Sequence, residues 1–350
     1  MTKTRQDFEP ETPPWLIENW FPLGHKGMDT APEGSFKTIW GCWLSVCVAA
    51  GIPVFGHPVQ QGNILIVDEE TPETSLTYHL DRFSAGLGLR LKDLPIHIYC
   101  MKGFRFGRKS EMDKLLERVL KLNPILIRMD SLLAMLPSGR QTISENDCHL
   151  GEIVRDNLND LVSPECSILL AAHSKKYIAE LPLSELRDQA MQVIVRGHGS
   201  IVGEGCDTGF ILKKISENPE PTRFAIITRA RRQAIPANAI RYIEMKEQRY
   251  GEGWAKLEEI SADSLPPSHL AKMIYPIFEV RDNKGSLNHS SQWITRTFAF
   301  LTRTECKLGV RELLNRRVIV ETSPQNYAKS PNMFSDCRSE YLKELSRTEK

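Results

Sequence analysis

Eight residues near the start of the chain, Ala31–Thr38, have the composition of a loop that binds phosphate. They run directly into an apolar stretch, Ile39–Ala50, that predicts a helix. In such a loop, backbone N–H groups at the helix N-terminus surround the phosphates, a lysine reaches the phosphate oxygens, and a hydroxyl binds Mg²⁺. The predicted phosphate-binding residues are Ala31, Pro32, Glu33, Gly34, Ser35, Phe36, Lys37 and Thr38. Because Ala31 and Phe36 replace the glycines of G-x-x-x-x-G-K-[ST], an ordinary turn with a helix cap is the alternative.

An apolar run that ends in an aspartate supplies the carboxylate that such a loop requires. Pro124–Met129 predicts a strand, and Asp130 follows it. At the carboxyl end of a strand, a carboxylate can hold Mg²⁺ directly or through water. We therefore predict that Asp130 and Thr38 are the residues that bind Mg²⁺.

A second apolar run, Asn63–Val67, is followed by the acidic sequence Asp68-Glu69-Glu70. Hydrolysis of ATP needs a group that orients or deprotonates water, and a carboxylate at a neighbouring strand end is suitable. We predict Glu70 for this role, with Glu69 in reserve. The alternative is that these acids cap the next helix, which Thr71-Pro72-Glu73 would begin.

The elements that carry these residues predict an α/β fold with a parallel-rich central sheet. Short apolar runs alternate with amphipathic stretches from about Gln61 to Leu212, the pattern of βαβ units. The clearest strands and helices are Asn63–Asp68, Pro124–Asp130, Ser167–Ala172, Glu111–Leu122 and Gly151–Leu161. Later strands are predicted at Phe210–Lys213, Arg223–Thr228 and Arg241–Met245. Ligands bind at the carboxyl edge of such sheets.

Composition and charge exclude several classes of protein. The 350 residues fit two domains, and 41% hydrophobic with 25% charged residues is ordinary for a globular protein. A net charge of +1 gives no global attraction to nucleic acid, so any basic surface must be local. Eight cysteines without a CxxC pair favour a reducing cytoplasm, and the polar start predicts no secretory signal. Ile39–Gly56 lacks charge, but Gly51-Ile52-Pro53 should end its helix too early to cross a membrane.

These blocks together resemble the RecA-like P-loop ATPases, and most closely the RepA-type hexameric replicative helicases of plasmids, phages and other mobile elements. The resemblance covers roughly Trp15–Lys246. It rests on APEGSFKT, GNILIVDEETPETSLTYHLDRF, ILIRMDSLLAMLPSG with SEND, SILLAAHSKK, RGHGSIVGEGCDTGFIL and ITRARR, in the family's order. It implies a RecA-like core that binds ATP and Mg²⁺ and assembles into a ring, with a hexamer as the expected form.

The resemblance also implies roles for individual residues. Lys37 and Thr38 would bind the triphosphate and Mg²⁺, Glu70 would be the catalytic glutamate, and Asp130 would be the Walker B aspartate. His173, which follows the strand Ser167–Ala172, resembles the γ-phosphate sensor, although a lone histidine there is often structural.

Basic residues later in the chain resemble the parts that face a neighbouring subunit and DNA. Arg229 and Arg231 resemble fingers that reach the neighbouring subunit's ATP, with solvated surface arginines as the alternative. The glycine-rich segment Arg196–Gly205, with Arg196 and His198, resembles the central DNA-contacting loop, although its glycines also suit a plain loop.

The C-terminal part predicts a small winged-helix-like domain. Three short helices, at Ile274–Phe278, Trp293–Leu301 and Cys306–Asn315, precede the strand Val318–Val320. The stretch Arg303–Arg317 holds five basic and two acidic residues, so we predict DNA contacts from Arg303, Lys307 and Arg311, with docking of a protein partner as the alternative. The predicted organisation is a flexible N-terminus (1–14), a RecA-like ATPase domain (15–262), the winged-helix-like domain (263–335) and a tail (336–350).

Two functions of different classes fit these patterns. The first is an ATP-driven DNA helicase or translocase that acts in replication or maintenance of a mobile element. The second is an ATP-switched regulatory protein that binds DNA or a partner without unwinding, similar to recombination mediators. A small-molecule kinase would need a lid and a phosphate-acceptor site, which the sequence does not suggest.

Overall fold

The computed structural model describes the residues 14–32, 34, 36–137, 148–174, 186, 206, 208–216, 222–230, 240–248, 253–261, 289–290, 294, 310, 313–314, 319–323 and 326–329. The chain divides into two compact units, Met1–Glu259 and Ile260–Lys350. The domain bounds expected from the sequence stay a prediction.

The first unit alternates strands and helices in the order that the sequence patterns suggest. Its described elements are β1 (Trp15–Ile17), β2 (Phe21–Pro22), β3 (Lys26–Ala31), α1 (Lys37–Ala50), β4 (Ile64–Asp68), α2 (Glu73–Gly86), β5 (Ile96–Cys100), α3 (Lys109–Leu122), β6 (Leu126–Asp130), α4 (Cys148–Leu161), β7 (Ser167–His173), β8 (Thr208–Ser216), β9 (Arg223–Ala230), β10 (Ile240–Glu247) and β11 (Ala255–Ile260). Short 3-10 turns lie at Leu91–Asp93 and Leu133–Met135.

A nine-stranded sheet forms the centre of this unit, in the order β11-β10-β9-β8-β3-β7-β6-β4-β5. From β8 to β5 all neighbouring strands are parallel, whereas β9 is antiparallel to both β8 and β10. β7 is inserted between β3, which leads into the phosphate loop, and β6, which ends in Asp130. This mixed sheet confirms the predicted α/β class with a parallel-rich central sheet, and it brings the ends of β3, β7, β6 and β4 to one edge.

Helices cover both faces of the parallel strands, and alternate residues of each strand point to opposite sides. Along β4, Ile64 and Ile66 belong to the core that includes Trp40 of α1, while Leu65 and Val67 belong to the second core, which includes residues of α3 and α4. Strands buried on both faces become nearly continuous apolar runs in the sequence, and this explains why β4, β6 and β7 were predictable.

Left-handed backbone conformations mark both ends of α1. Phe36, the residue before the helix, has φ 62° and ψ 17°, and Gly51, the residue after it, has φ 71° and ψ 22°. The N–H of Gly51 donates to the Val48 carbonyl and that of Ile52 to the Cys47 carbonyl, so the helix ends where the sequence predicted. No helix in the described part of the chain is long and apolar enough to cross a membrane.

Six elements of the first unit were not predicted as such, namely β1, β2, β3, β5, β11 and α2. β3 has the polar sequence KGMDTA and β5 has IHIYC, so neither forms a continuous apolar run. α2 was suggested only by its possible start near Thr71, and it begins at Glu73. In addition, β7 extends to His173 and β9 extends to Ala230, beyond the predicted ends.

The second unit contains a small antiparallel sheet. Its strands are β12 (His289–Ser290), β13 (Ile319–Ser323) and β14 (Asn326–Lys329), in the order β12-β14-β13. β13 matches the predicted strand at Val318–Val320, and β14 completes a hairpin with it. Most of the three predicted helices lie outside the described residues, so the winged-helix arrangement stays a prediction.

Candidate functional site

The loop predicted to bind phosphate connects the end of β3 to the start of α1. Ala31 is the last residue of the strand, and Gly34 has φ 72°, while Glu33 and Ser35 lie outside the described residues. Phe36 takes the left-handed conformation that a glycine in the generic motif would adopt at little cost. Its ring stacks on Phe224 of β9, with centroids 5.5 Å apart, and this packing helps to offset the backbone strain.

Lys37 is the first residue of α1, and its ammonium group is directed back toward the loop. Nζ donates to the carbonyl oxygens of Ala31 and Pro32, both at 3.4 Å, and lies 3.3 Å from Nδ1 of His173. The residue is buried, and burial lowers the pKa of its amine. These long contacts leave the ammonium group in a position where phosphate oxygens would be stronger partners.

Thr38 and Asp130 meet across the edge of the sheet, as the predicted Mg²⁺ site requires. The Thr38 hydroxyl donates to Oδ2 of Asp130 at 3.2 Å. Hydroxyl and carboxylate oxygens are the hard donors that Mg²⁺ prefers. Within the described ranges no group of three or more His, Cys, Asp or Glu residues could hold a metal ion.

The charge balance around Asp130 also fits a bound cation. Asp29, Asp68 and Asp130 are buried, and among the described residues Lys37 and Arg128 are the buried cations whose charges act on Asp29 and Asp130. Burial raises the pKa of Asp130, and burial together with Asp130 raises the pKa of Asp68 to about 6. Oδ2 of Asp68 is buried and has no hydrogen-bond partner among the described residues. A divalent cation at this edge would compensate the excess negative charge.

Glu70 lies beside Asp130 because β4 and β6 are parallel neighbours. Asp68 and Asp130 are register partners, and Oδ1 of Asp68 accepts hydrogen bonds from the backbone N–H groups of Glu70 at 2.9 Å and Thr71 at 2.6 Å. Asp68 therefore fixes the turn that presents Glu70, whose side chain is 49% exposed. This positioning role of Asp68 was not predicted.

The structure gives Glu69 and Glu70 different surroundings. The Glu69 carboxylate is buried and accepts hydrogen bonds from the backbone N–H groups of Lys102 and Gly103 and from Arg105. It thereby holds the loop after β5. Glu70 keeps an accessible carboxylate, which makes it the better placed of the two to contact a water molecule.

His173 lies between Lys37 and Glu70 at the end of β7. Strand pairing places it opposite Ala31, the residue that begins the phosphate loop. Its Nδ1 faces Lys37 and its Nε2 lies 3.7 Å from Oε1 of Glu70. The interaction with His173 lowers the pKa of Glu70 to about 2, against the opposing effect of burial. Glu70 is therefore ionised at neutral pH.

A buried arginine beside the site was not assigned a role from the sequence. Arg128 stands out in β6 as a charged residue among Leu126, Ile127 and Met129. Its Nη1 lies 3.0 Å from Oδ2 of Asp29, a residue of β3 that sequence reasoning missed. Burial raises the pKa of Asp29 to about 7, and Arg128 opposes this effect. The interrupted strand was the signal, but the partner lies on a distant segment of the chain.

The remaining predicted site residues are Arg229, which the structure describes, and six residues outside the described part of the chain. Arg229 lies within β9, opposite Gly209 of β8, and not after the strand as the sequence suggested. The residues that lie outside the described part of the chain are Arg231, Arg196, His198, Arg303, Lys307 and Arg311.

Comparisons with known proteins found a matching family model and similar solved structures. A family model described as AAA domain matches residues 2–177, about half of the chain. Among solved structures, the fold is similar to a KaiC-like protein from the hyperthermophilic archaeon Pyrococcus horikoshii OT3, at 14% identity and a TM-score of 0.46, over 71% of this chain and 96% of that one. None of the curated proteins matches the sequence.

Proposed function

This chain belongs to the AAA domain family, and we propose that it binds ATP with Mg²⁺ and hydrolyses it to drive a DNA helicase or translocase. The meeting of Thr38 with Asp130 at 3.2 Å carries the nucleotide part of the proposal. It joins the first turn of α1 to the end of β6, and Lys37 and Glu70 lie on either side of His173 at the same edge.

In the proposed reaction, the chain first binds the triphosphate at the N-terminus of α1. The backbone N–H groups of the helix start and the Lys37 ammonium group hold the phosphate oxygens. Thr38 and Asp130 would hold Mg²⁺, and the ion would neutralise phosphate charge. Lys37 exchanges its long contacts with Ala31 and Pro32 for charge-assisted bonds to phosphate.

Glu70 then orients a water molecule for attack on the γ-phosphorus. The new bond forms between the water oxygen and phosphorus while the bond to the bridging β–γ oxygen breaks, which releases ADP and phosphate. Glu70 accepts the proton of the water and returns it to solvent. A carboxylate with a pKa near 2 is a weak base, so release of Glu70 from His173 is expected before this step.

His173 is suited to couple this step to the occupancy of the site. In the structure it faces both Lys37 and Glu70, and a γ-phosphate near Lys37 would compete for it. Movement of His173 toward phosphate would free Glu70 and report the nucleotide state through β7.

Two simple measurements test the ATPase part of the proposal. Equilibrium titration of the full chain with a fluorescent ATP analogue should show saturable binding that Mg²⁺ tightens. Phosphate release should require Mg²⁺ and ATP together. Absence of binding at millimolar nucleotide would refute the nucleotide assignment, whereas binding without release would leave a nucleotide-dependent switch.

The helicase part rests on the resemblance of the sequence to RepA-type proteins. Under this proposal the chain assembles into a ring, in which Arg229 and Arg231 reach the ATP of the neighbouring subunit. Arg196 and His198 would contact DNA inside the ring, and the C-terminal unit would contact DNA or a protein partner.

A strand-displacement assay and a mass measurement test the helicase part. We expect ATP-dependent unwinding, DNA-stimulated turnover and a hexamer. Replacing Arg303, Lys307 and Arg311 with alanine should weaken DNA binding and flatten its salt dependence. A monomer whose turnover does not respond to DNA would contradict the helicase while leaving ATP binding intact.

A further inference from the structure

The buried guanidinium of Arg128 contacts both sides of the site described above. Nη2 donates to the carbonyl oxygen of Lys37 at 3.4 Å and lies 3.7 Å from Oδ2 of Asp130. Nη1 donates to the carbonyl oxygen of Leu169 at 3.2 Å and lies 3.0 Å from Asp29. One side chain therefore contacts the first residue of α1 and the strands β3, β6 and β7.

Helix α1 contains a glycine where this guanidinium lies. A Cβ atom at Gly41 would be only 2.3 Å from Nε of Arg128, far inside van der Waals contact. Gly41 is buried within the helix, where glycine costs about 1 kcal/mol relative to alanine. The missing side chain at Gly41 therefore leaves the space that the guanidinium of Arg128 occupies.

The distances divide the two carboxylates into different roles. Asp29 is fully buried and is the nearer partner, so its carboxyl group holds the guanidinium in place. Asp130 stays farther away, and its Oδ2 accepts the Thr38 hydroxyl. Arg128 therefore contacts Asp130 without occupying it as a short ion pair would.

We propose that Arg128 is a positioning residue, which holds Asp130 and the first turn of α1 at the separation that lets Asp130 and Thr38 bind one Mg²⁺ ion. This inference rests on the proposed function. Asp29 fixes the guanidinium of Arg128, and Gly41 leaves the space in which this guanidinium lies. Arg128 itself touches neither metal nor nucleotide.

Replacing the buried pair together tests this role without leaving a lone buried charge. In the full chain, the Asp29→Asn/Arg128→Met variant should remain folded, because paired removal of buried ions is far less destabilising than single removal. Affinity for a fluorescent ATP analogue is measured with Mg²⁺ and with EDTA. We expect the ratio of the two affinities to fall at least about tenfold, equal to about 1.4 kcal/mol. Arg128→Lys should recover part of the ratio.

A matched control removes a comparable pair away from the site. Arg82 and Glu247 form an ion pair at 2.8 Å, with side chains 9% and 14% exposed. The Arg82→Met/Glu247→Gln variant should keep the wild-type ratio, even if its unfolding midpoint falls. This control separates a general loss of stability from a specific loss of the Mg²⁺ dependence of ATP binding.

Gly41→Ala provides a second route if the double variant fails to fold. The added methyl group should displace Arg128 without removing its charge. It should also lower the ratio of the affinity for the ATP analogue with Mg²⁺ to that with EDTA. An unchanged ratio in Gly41→Ala, or in a folded Asp29→Asn/Arg128→Met variant, would overturn the positioning role. A wild-type chain that binds no ATP would instead overturn the proposed function, and the wild-type titration alone reveals that case.

Discussion

Buried and partly buried charges are arranged differently in the parallel and antiparallel parts of the central sheet. At the ends of β3, β4 and β6, three buried aspartates share the buried cations Lys37 and Arg128, and the pKa values of all three aspartates are raised. On the antiparallel strands, Glu244 pairs with Arg223 at 2.6 Å and also contacts Lys246.

We interpret this difference as one between charges that stabilise the fold and charges that a bound ligand would neutralise. Burial raises the pKa of Glu244, but the combined effect of Lys246 and Arg223, which lower it, is larger. The net shift of the pKa is therefore downward. The folded protein therefore stabilises the ionised form of Glu244 on its own. The aspartates of the parallel part are not compensated in this way, and a bound cation with nucleotide is expected to supply the missing interactions.

The largest expected effect separates two adjacent glutamates in the parallel part. Glu70→Gln should lower the rate of phosphate release about 100- to 1,000-fold, because the amide cannot accept the proton of water. Binding of the ATP analogue should change less than about twofold, since Glu70 is not a phosphate ligand in the proposal. Glu69→Gln should mainly lower the unfolding midpoint through the loop after β5. If Glu69→Gln instead stopped phosphate release and Glu70→Gln only lowered the unfolding midpoint, Glu69 and not Glu70 would be the catalytic glutamate.

Removing the ammonium group of Lys37 should have the next largest effect. Lys37→Ala should weaken ATP binding about 100-fold, or about 3 kcal/mol, because a charge-assisted contact with phosphate is lost. Lys114, on α3 with its side chain 63% exposed, provides the control. Lys114→Ala should bind ATP as the wild type does. If the two variants behave alike in the titration, phosphate does not bind at this loop.

The pH dependence of unfolding should have opposite signs in the two parts. Asp29 has a raised pKa of about 7, so the folded protein keeps its proton to a higher pH than the unfolded chain does. Stability from this group is present below about pH 4 and is lost as the pH rises toward 7, by up to about 1.4 kcal/mol per pH unit. Asp29→Asn should remove this slope when denaturant unfolding is measured between pH 5 and 8 without Mg²⁺.

Glu244→Gln is the matched comparison for that experiment. Its pKa is lowered, so its contribution is present at neutral pH and is lost only as the medium becomes more acidic than its ordinary value. Between pH 5 and 8 its stability curve should therefore run parallel to that of the wild type. Parallel curves for both variants would contradict the proposed contrast.

The smallest expected effect concerns the contact between the two parts. Phe224→Leu removes the ring that stacks on Phe36 and should lower the free energy of unfolding by about 1–2 kcal/mol. ATP affinity should also fall by a few fold, because the loop is less firmly held. Phe36→Gly loses the same stack but relieves the left-handed strain, so its change in stability should be smaller. Equal losses would show that the strain is unimportant.

The parts of the fold that the sequence predicted are those in which one segment carries its own signal. β4, β6 and β7 are apolar runs with polar ends, and α1, α3 and α4 show helical spacing. β3 could not be recognised, because its polar sequence includes Asp29, whose partner Arg128 lies on a strand far away in the sequence. The two acids after β4 could be separated only when the amides of Lys102 and Gly103 were seen to bind Glu69.

The fit between Gly41 and Arg128 has a consequence for how this protein can evolve. Loss of the arginine would leave an unfilled space beside α1, and gain of a side chain at position 41 would collide with the arginine. The two positions are therefore expected to covary among related sequences, with alanine or a larger residue at 41 accompanied by an apolar residue at 128. A change at Asp29 should accompany the changes at positions 41 and 128, so these three positions, spread over about a hundred residues, should evolve together.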